Sequence, residues 1–163
     1  MKIVIRAFSA SDGDAVNRIA LAAWDEYRTV FENWSRMEDF FKSAATLAAD
    51  ADLLVAESEG ELLGWVGYVG PGRKRDSIFP ADWAVIRMLS VDPRARGHGL
   101  GRRLSEECVT RAQREGVPTI GLHTSPVMKV ALPLYLRMGF VLHTDLGIRS
   151  GVPYAVYARR VTP

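Results

Sequence analysis

The 163 residues carry 21 Lys and Arg against 19 Asp and Glu, a net charge of +2, and just under half of them are hydrophobic. Such values fit one globular domain, over 1–163, with chain enough for its own core; they exclude a disordered or fibrous polypeptide, and so small a charge excess does not imply nucleic acid. No apolar run approaches membrane-spanning length, Met1 to Arg6 is too short and too soon charged for a signal peptide, and the single cysteine, Cys108, allows no internal disulfide, so the expected home is a reducing cytoplasm.

Lys2 to Ala7 alternates apolar residues and predicts a first strand. Ser9, Ser11 and Asp12 offer caps for a helix with Val16, Ile19, Ala20, Ala23, Trp24 and Tyr27 on one face. A second helix, capped by Ser35, turns Met37, Phe40, Phe41, Ala44 and Leu47 inward. Leu53 to Glu57 and Leu62 to Tyr68 are strands joined by the hairpin turn Ser58-Glu59-Gly60-Glu61. Prolines, a glycine and the basic run Arg73-Lys74-Arg75 make 70–82 a loop. The remaining pattern predicts strand 83–91, helix 99–115, strand 117–123, helix 128–138, and strands 139–145 and 153–161. Cys108 falls in the stripe Leu100, Leu104, Cys108, Ala112 and is most simply a small core residue. Periodicity alone gives an α+β domain.

The most informative segment is Arg96-Gly97-His98-Gly99-Leu100-Gly101, reached from strand 83–91 through Asp92-Pro93-Arg94-Ala95. Alternating glycines leave backbone amides uncovered at the positive end of a helix dipole, an anion site suited to a pyrophosphate. A P-loop is rejected because no lysine follows the glycines. A dinucleotide fingerprint is rejected because position 102 is Arg102. Arg94, Arg96, Arg102, Arg103, Arg111 and Arg114 cluster on and after the loop, and a polyphosphate nucleotide is enough to explain them. The plainer alternative is a tight turn relaxed by Gly99 and Gly101, with the arginines as a solvated face.

The spacing Arg96, Gly99, Gly101 after Met88-Leu89-Ser90-Val91 resembles the acyl-CoA pyrophosphate loop of the GNAT family (GCN5-related N-acetyltransferases). About thirty residues on, Ala131-Leu132-Pro133-Leu134-Tyr135-Leu136-Arg137-Met138-Gly139-Phe140 is similar to that family's second signature. The resemblance implies the GNAT fold: a mixed, mostly antiparallel sheet of about seven strands with four helices and splayed central strands. It also implies acetyl transfer from acetyl-CoA to a primary amine of a small molecule or protein, by direct attack in a ternary complex. Leu89, Ser90 and Val91 would then run along the pantetheine arm, and Arg96, Gly97, His98, Gly99, Leu100, Gly101 and Arg102 would wrap the pyrophosphate. Tyr135 would be the general acid for the departing thiolate, a phenol being suited to hold a proton at neutral pH.

The base does not transfer. Many relatives carry a glutamate where Val85 stands, with Arg87 nearby, which leaves His123, Asp82, or ordered water with backbone carbonyls. Met128 stands where many members have asparagine against the pantetheine arm. No metal is expected, since His98, His123 and His143 share no ligand spacing.

For the acceptor, Trp24, Tyr27, Phe31, Trp34, Phe40 and Phe41, interleaved with Asp25, Glu26, Glu32, Glu38 and Asp39, would wall a pocket for an amine on an apolar body. Alternatively they are core stripes with a solvated acidic face, and Arg73-Lys74-Arg75 admits an acidic acceptor or is simply a loop. The rival to an enzyme is a non-catalytic acyl-CoA-binding module, a sensor or interaction domain. A nucleic-acid partner ranks last, because no aromatics interleave with the arginines, and no membrane partner is expected. Dimerisation is common for the fold, and a homodimer is left open.

Overall fold

Seven strands form one sheet in the computed structural model, which describes residues 1–161. They are β1 (Val4–Ala7), β2 (Asp52–Ser58), β3 (Glu61–Val69), β4 (Ala84–Val91), β5 (Thr119–Thr124), β6 (Val141–Arg149) and β7 (Val152–Arg160). Their order is β1-β2-β3-β4-β5-β7-β6; β4 and β5 pair in parallel and every other neighbouring pair is antiparallel. Four α-helices, α1 (Gly13–Trp24), α2 (Trp34–Lys42), α3 (Leu100–Arg114) and α4 (Ala131–Arg137), complete the mixed architecture that the resemblance implies.

Each face of the sheet has its own core. On one, Leu100, Leu104, Cys108 and Ala112 of α3 and Leu134 of α4 pack with Ile120 and Leu122 of β5. On the other, Val16, Ile19 and Ala20 of α1 and Phe41 of α2 pack with Val55, Trp65 and Val85. Burial pushes the Cys108 thiol up to about 12, so it is an inert apolar filler.

Two boundaries differ from the sequence reading for physical reasons. The helix expected over 128–138 starts at Ala131, which leaves Pro133 in the first turn, where its missing N–H interrupts no helical bond. Asn33, not Ser35, occupies the N-cap of α2, because Trp34 joins the helix and packs on Phe41 at 5.8 Å between ring centres. The hairpin turn is where the sequence puts it. Glu59 and Gly60 both take positive φ, 52° and 80°, the twist a two-residue hairpin needs. The last two residues of the expected 1–163 domain lie outside the described range.

The feature that positions the site is the failure of β4 and β5 to stay paired. They meet only at Ala84 with Ile120 and Val85 with Gly121, and then diverge. Trp83 lies across Gly121 at this vertex; a Cβ on that glycine would sit 2.6 Å from the indole. Farther along β4 the register against β3 slips, from Gly67 opposite Arg87 to Trp65 opposite Ser90. The surplus residue bulges, and Met88 takes φ 58°, an uncommon conformation for a non-glycine residue. A bulge puts consecutive side chains on one face. Met88 therefore packs into the α1–α2 core, while Arg87 shares the face of Gly67, whose Cβ would meet Leu47 and Leu53.

Candidate active site

The strand-to-helix junction begins at Asp92, buried at the end of β4. Its carboxylate accepts from the Arg94 amide at 3.0 Å, the Arg94 guanidinium at 2.9 Å and Arg18 at 3.3 Å. Those bonds, Arg94 foremost, hold its pKa below the usual carboxylate range. Gly97 and Gly99 follow at φ 85° and 72°, and a Cβ on either would meet nothing within 4 Å. Glycine is thus required there by backbone conformation, and the loop surface is bare. The first helical bond of α3 runs from the Arg103 amide to the Gly99 carbonyl at 3.0 Å, so the amides of Leu100, Gly101 and Arg102 precede the ladder. Gly101 faces inward, toward Leu89 and Leu134.

The arginines of this loop are not spare. Arg94 reaches Glu61 as well as Asp92, Arg96 donates to Glu26 at 2.8 Å and to the Ala23 carbonyl, and Arg102 pairs with Glu106 at 2.8 Å. Arg111 likewise pairs with Asp52 and Glu115. His98 turns its ring back onto the Ala95 carbonyl at 3.1 Å. What the loop offers an anion is therefore mainly main-chain N–H.

Beyond the vertex, β4 presents an unpaired edge to the gap. The Asp92 amide bonds the Leu63 carbonyl of β3 at 2.8 Å, so by strand alternation the main-chain groups of Val91 and Leu89 face the opposite way, where no β5 partner stands. Ser90, between them, is buried and donates its hydroxyl to the Met88 carbonyl at 2.9 Å.

A cavity of about 320 Å³ opens in this gap, within the range of small-molecule sites. Tyr135 and His123 both line it, as do Met128, Leu89, Met88 and Arg87. Tyr135 is 5% exposed, edge-on to Phe140 at 5.7 Å and beside Ser105, whose hydroxyl donates to the Gly101 carbonyl. Burial raises its pKa well above the ordinary phenol value, so the proton stays on at neutral pH. His123, on β5, lies between Phe79 and Tyr154, with its Nδ1 buried and unpartnered. Burial, reinforced by the charge of Arg87, lowers its pKa to about 4, and the imidazole is neutral at pH 7. Burial also raises the Tyr154 phenol to about 12.

Of the other base candidates, Asp82 sits exposed on the loop before β4 and does not line the cavity, while Val85, the position where the resemblance implies a glutamate, is core. Of the two readings of the acids near the first helices, the structure bears out the solvated face and not the pocket wall. Trp24, Phe40 and Phe41 line the cavity, but no Asp or Glu does. Asp25 and Glu38 pair with Arg28, and Glu26 with Arg96. Arg73 is likewise engaged with Asp52, outside the cavity. The residues to which sequence reasoning gave no role are Arg36 and Tyr154, Ser105 beside Tyr135, and above all Arg87, the one charge in the strand Ala84–Val91. Among the described residues no cluster of three or more His, Cys, Asp or Glu is arranged for a metal, and no helix is long and apolar enough to cross a membrane.

Comparison with known proteins agrees with this geometry. Residues 16–140 match the model of the acetyltransferase (GNAT) family. Among curated proteins, a mycothiol acetyltransferase of Streptomyces avermitilis is 29% identical over 153 residues, covering 91% of this chain and 46% of that protein; the chain spans less than half the length of the mycothiol acetyltransferases it matches. Among solved structures, Ard1 from Thermoplasma volcanium superposes with a TM-score of 0.77 at 20% identity over the full length of both chains. The PaiA N-acetyltransferase of Thermoplasma acidophilum, solved in complex with coenzyme A, gives 0.72 at 17% identity over 98% of this chain and 99% of that one. At such identities the structural likeness carries the fold.

Proposed function

Since the chain belongs to the GNAT family of acetyltransferases, we propose that it transfers the acetyl group of acetyl-CoA directly to the primary amine of an acceptor held in the same cleft. The observation that carries this reading is the parallel pair β4–β5, which parts after two residues to open a cavity lined by the buried Tyr135, while β4 runs on into the bare glycine turn.

The chain's groups fit the donor. Bare glycines at 97 and 99 let the backbone approach a pyrophosphate, and the free amides of Leu100, Gly101 and Arg102 point the helix dipole at it. The outward main-chain groups of Leu89 and Val91 suit an extended amide-bearing arm, bound as an added strand. Acetyl-CoA supplies the acetyl group in activated form, as a thioester. Tyr135, kept protonated by burial, donates its proton to the departing sulfur. His123, neutral at pH 7, accepts a hydrogen bond from the acceptor amine and passes the proton on to water, because burial, reinforced by the charge of Arg87, disfavours its staying. The fully buried Cys108 thiol is compatible with a reducing cytoplasmic setting.

Isothermal titration with acetyl-CoA tests the donor site. Micromolar binding is expected, falling at least 100-fold in Gly99→Glu, whose carboxylate enters open space where the pyrophosphate would lie. Absence of binding to the unsubstituted protein sinks the reading. Binding without turnover of any amine would make the protein an acyl-CoA-binding module instead.

A further inference from the structure

Arg87 is a half-buried guanidinium that the fold does not neutralise. It lies on the interior strand β4, between β3 and β5, and lines the cavity. No carboxylate among the described residues comes within 4.0 Å of it: the ion pairs engage Arg6, Arg18, Arg28, Arg73, Arg94 and others, but not Arg87. Asp76 and Asp50 act on it only at longer range, and Asp76 is already 3.8 Å from Arg149. Arg36 of α2 lines the same cavity and has no acidic partner either.

A charge removed from water without a partner is costly, and interior arginines are ordinarily paired. This one nevertheless stands at the cavity wall. It lies opposite Gly67 across the β3–β4 ladder and two residues beyond the core residue Val85, so strand alternation turns it to the α1–α2 side. Two residues that line the cavity, His123 and Asn33, carry buried polar atoms without partners, Nδ1 and Oδ1, and no acid lines it. Apart from Thr124, whose hydroxyl is turned to Met128, its remaining walls are apolar or aromatic, including Trp24, Phe40 and Tyr154.

We propose that the acceptor is an amine that also carries a carboxylate on an apolar body, and that Arg87, assisted by Arg36, binds the carboxylate while Asn33 and His123 face the amine. This assignment rests on the transferase reading above and supplies the acceptor class that it leaves open. A planar guanidinium meets a carboxylate through two parallel N–H donors, giving geometry as well as charge. The same two arginines repel a second ammonium, so diamines and lysine-like side chains without a nearby acid are selected against.

The test uses N-acetyl-L-phenylalanine and N-acetyl-L-leucine, mimics of the reaction product, and their carboxamides, titrated calorimetrically into the full chain with CoA present. At least one acid should bind ten-fold or more tightly than its carboxamide. Arg87→Met should bring acid and carboxamide within two-fold of each other, whereas Arg87→Lys, a point charge without the fork, keeps part of the preference. Arg87→Met should also melt no lower than the unsubstituted protein, since it removes an uncompensated charge and not a structural ion pair. Equal binding of acids and carboxamides, no binding of any of the four, or a preference that survives Arg87→Met overturns the proposal. If Arg87→Met does not fold, Arg87→Lys and the acid–carboxamide comparison on the unsubstituted protein decide. A parallel titration with acetyl-CoA separates the two readings. Acetyl-CoA binding without acid preference removes only the acceptor class; acid preference without acetyl-CoA binding removes the transferase.

Discussion

Arginines stand on both arms of the cleft, but acids stand beside them on only one. Around the glycine turn, Arg94, Arg96 and Arg102 are each within 3 Å of a carboxylate oxygen, so the basic cluster so conspicuous in the sequence is largely neutralised. Within the cavity, Arg87 and Arg36 are less conspicuous and have no such partner. Charge counted along a chain is therefore a poor guide to charge available to a ligand. One arm offers main-chain amides and the other offers side-chain cations, so the two should fail independently when substituted. Gly99→Glu removes donor binding and Arg87→Met removes acid preference, and neither should do the other's damage.

Tyr135 tests the division most severely, because it lines the cavity while packing in the α3–α4 core. Tyr135→Phe should lower turnover on the order of 100-fold, the usual scale of a lost general acid, while affinities for acetyl-CoA and for an acid probe stay within two-fold. Steady-state rates combined with the two titrations check this. Unchanged turnover would leave the phenol as packing against Phe140 and nothing more.

The vertex of the gap ought to affect both arms together. Gly121→Ala drives a methyl into the Trp83 ring, 2.6 Å from its nearest atom, at one of the two places where β4 and β5 still touch. The expected cost is about 1–3 kcal/mol of stability, typical of overpacking, with weaker binding of acetyl-CoA and acid probe alike. Urea unfolding with paired titrations reads both. Unaltered stability would mean that the indole moves freely and the vertex is soft.

The glycine arm was legible in the sequence because its parts are local. Strand, turn, three glycines and helix follow one another without interruption between Ala84 and Arg114, and each imposes its own backbone requirement. The acceptor arm was not, because nothing in it is local. Glu26 reads as a pocket acid until the fold brings Arg96 to it from seventy positions away. The bulge at Met88 depends on how β3 pairs and leaves no glycine to announce it. The helix cap moved from Ser35 to Asn33 because packing of Trp34 outweighed local capping preference. Arg87 alone gave a local sign, a charge amid Ala84-Val85-Ile86 and Met88-Leu89, and its meaning required knowing which acids were already engaged.

The smallest expected effect is a pH dependence that reports on the acceptor arm alone. In the folded chain His123 takes up a proton only near pH 4, against an ordinary value of 6.5, chiefly because it is buried and secondarily because Arg87 and Arg149 repel the charge, Asp76 opposing them. Between those two pH values the unfolded chain binds more protons than the native one. The stability His123 contributes is thus fully present above about 6.5, declines as the pH falls through this window, and levels off below about 4. One proton limits the slope to about 1.4 kcal/mol per pH unit. Asp12, held down to about 2 by its hydrogen bonds from Arg6, adds a separate loss at lower pH. Urea titrations at pH 7, 6 and 5 should show the slope in the unsubstituted protein and lose it in His123→Gln; equal slopes would mean that the ring is hydrated and Arg87 is remote. A carboxylate seated beside Arg87 should offset the repulsion and raise the His123 pKa. N-acetyl-L-phenylalanine should then flatten the slope, and bind more tightly at pH 5 than at pH 7, in the unsubstituted protein but not in Arg87→Met.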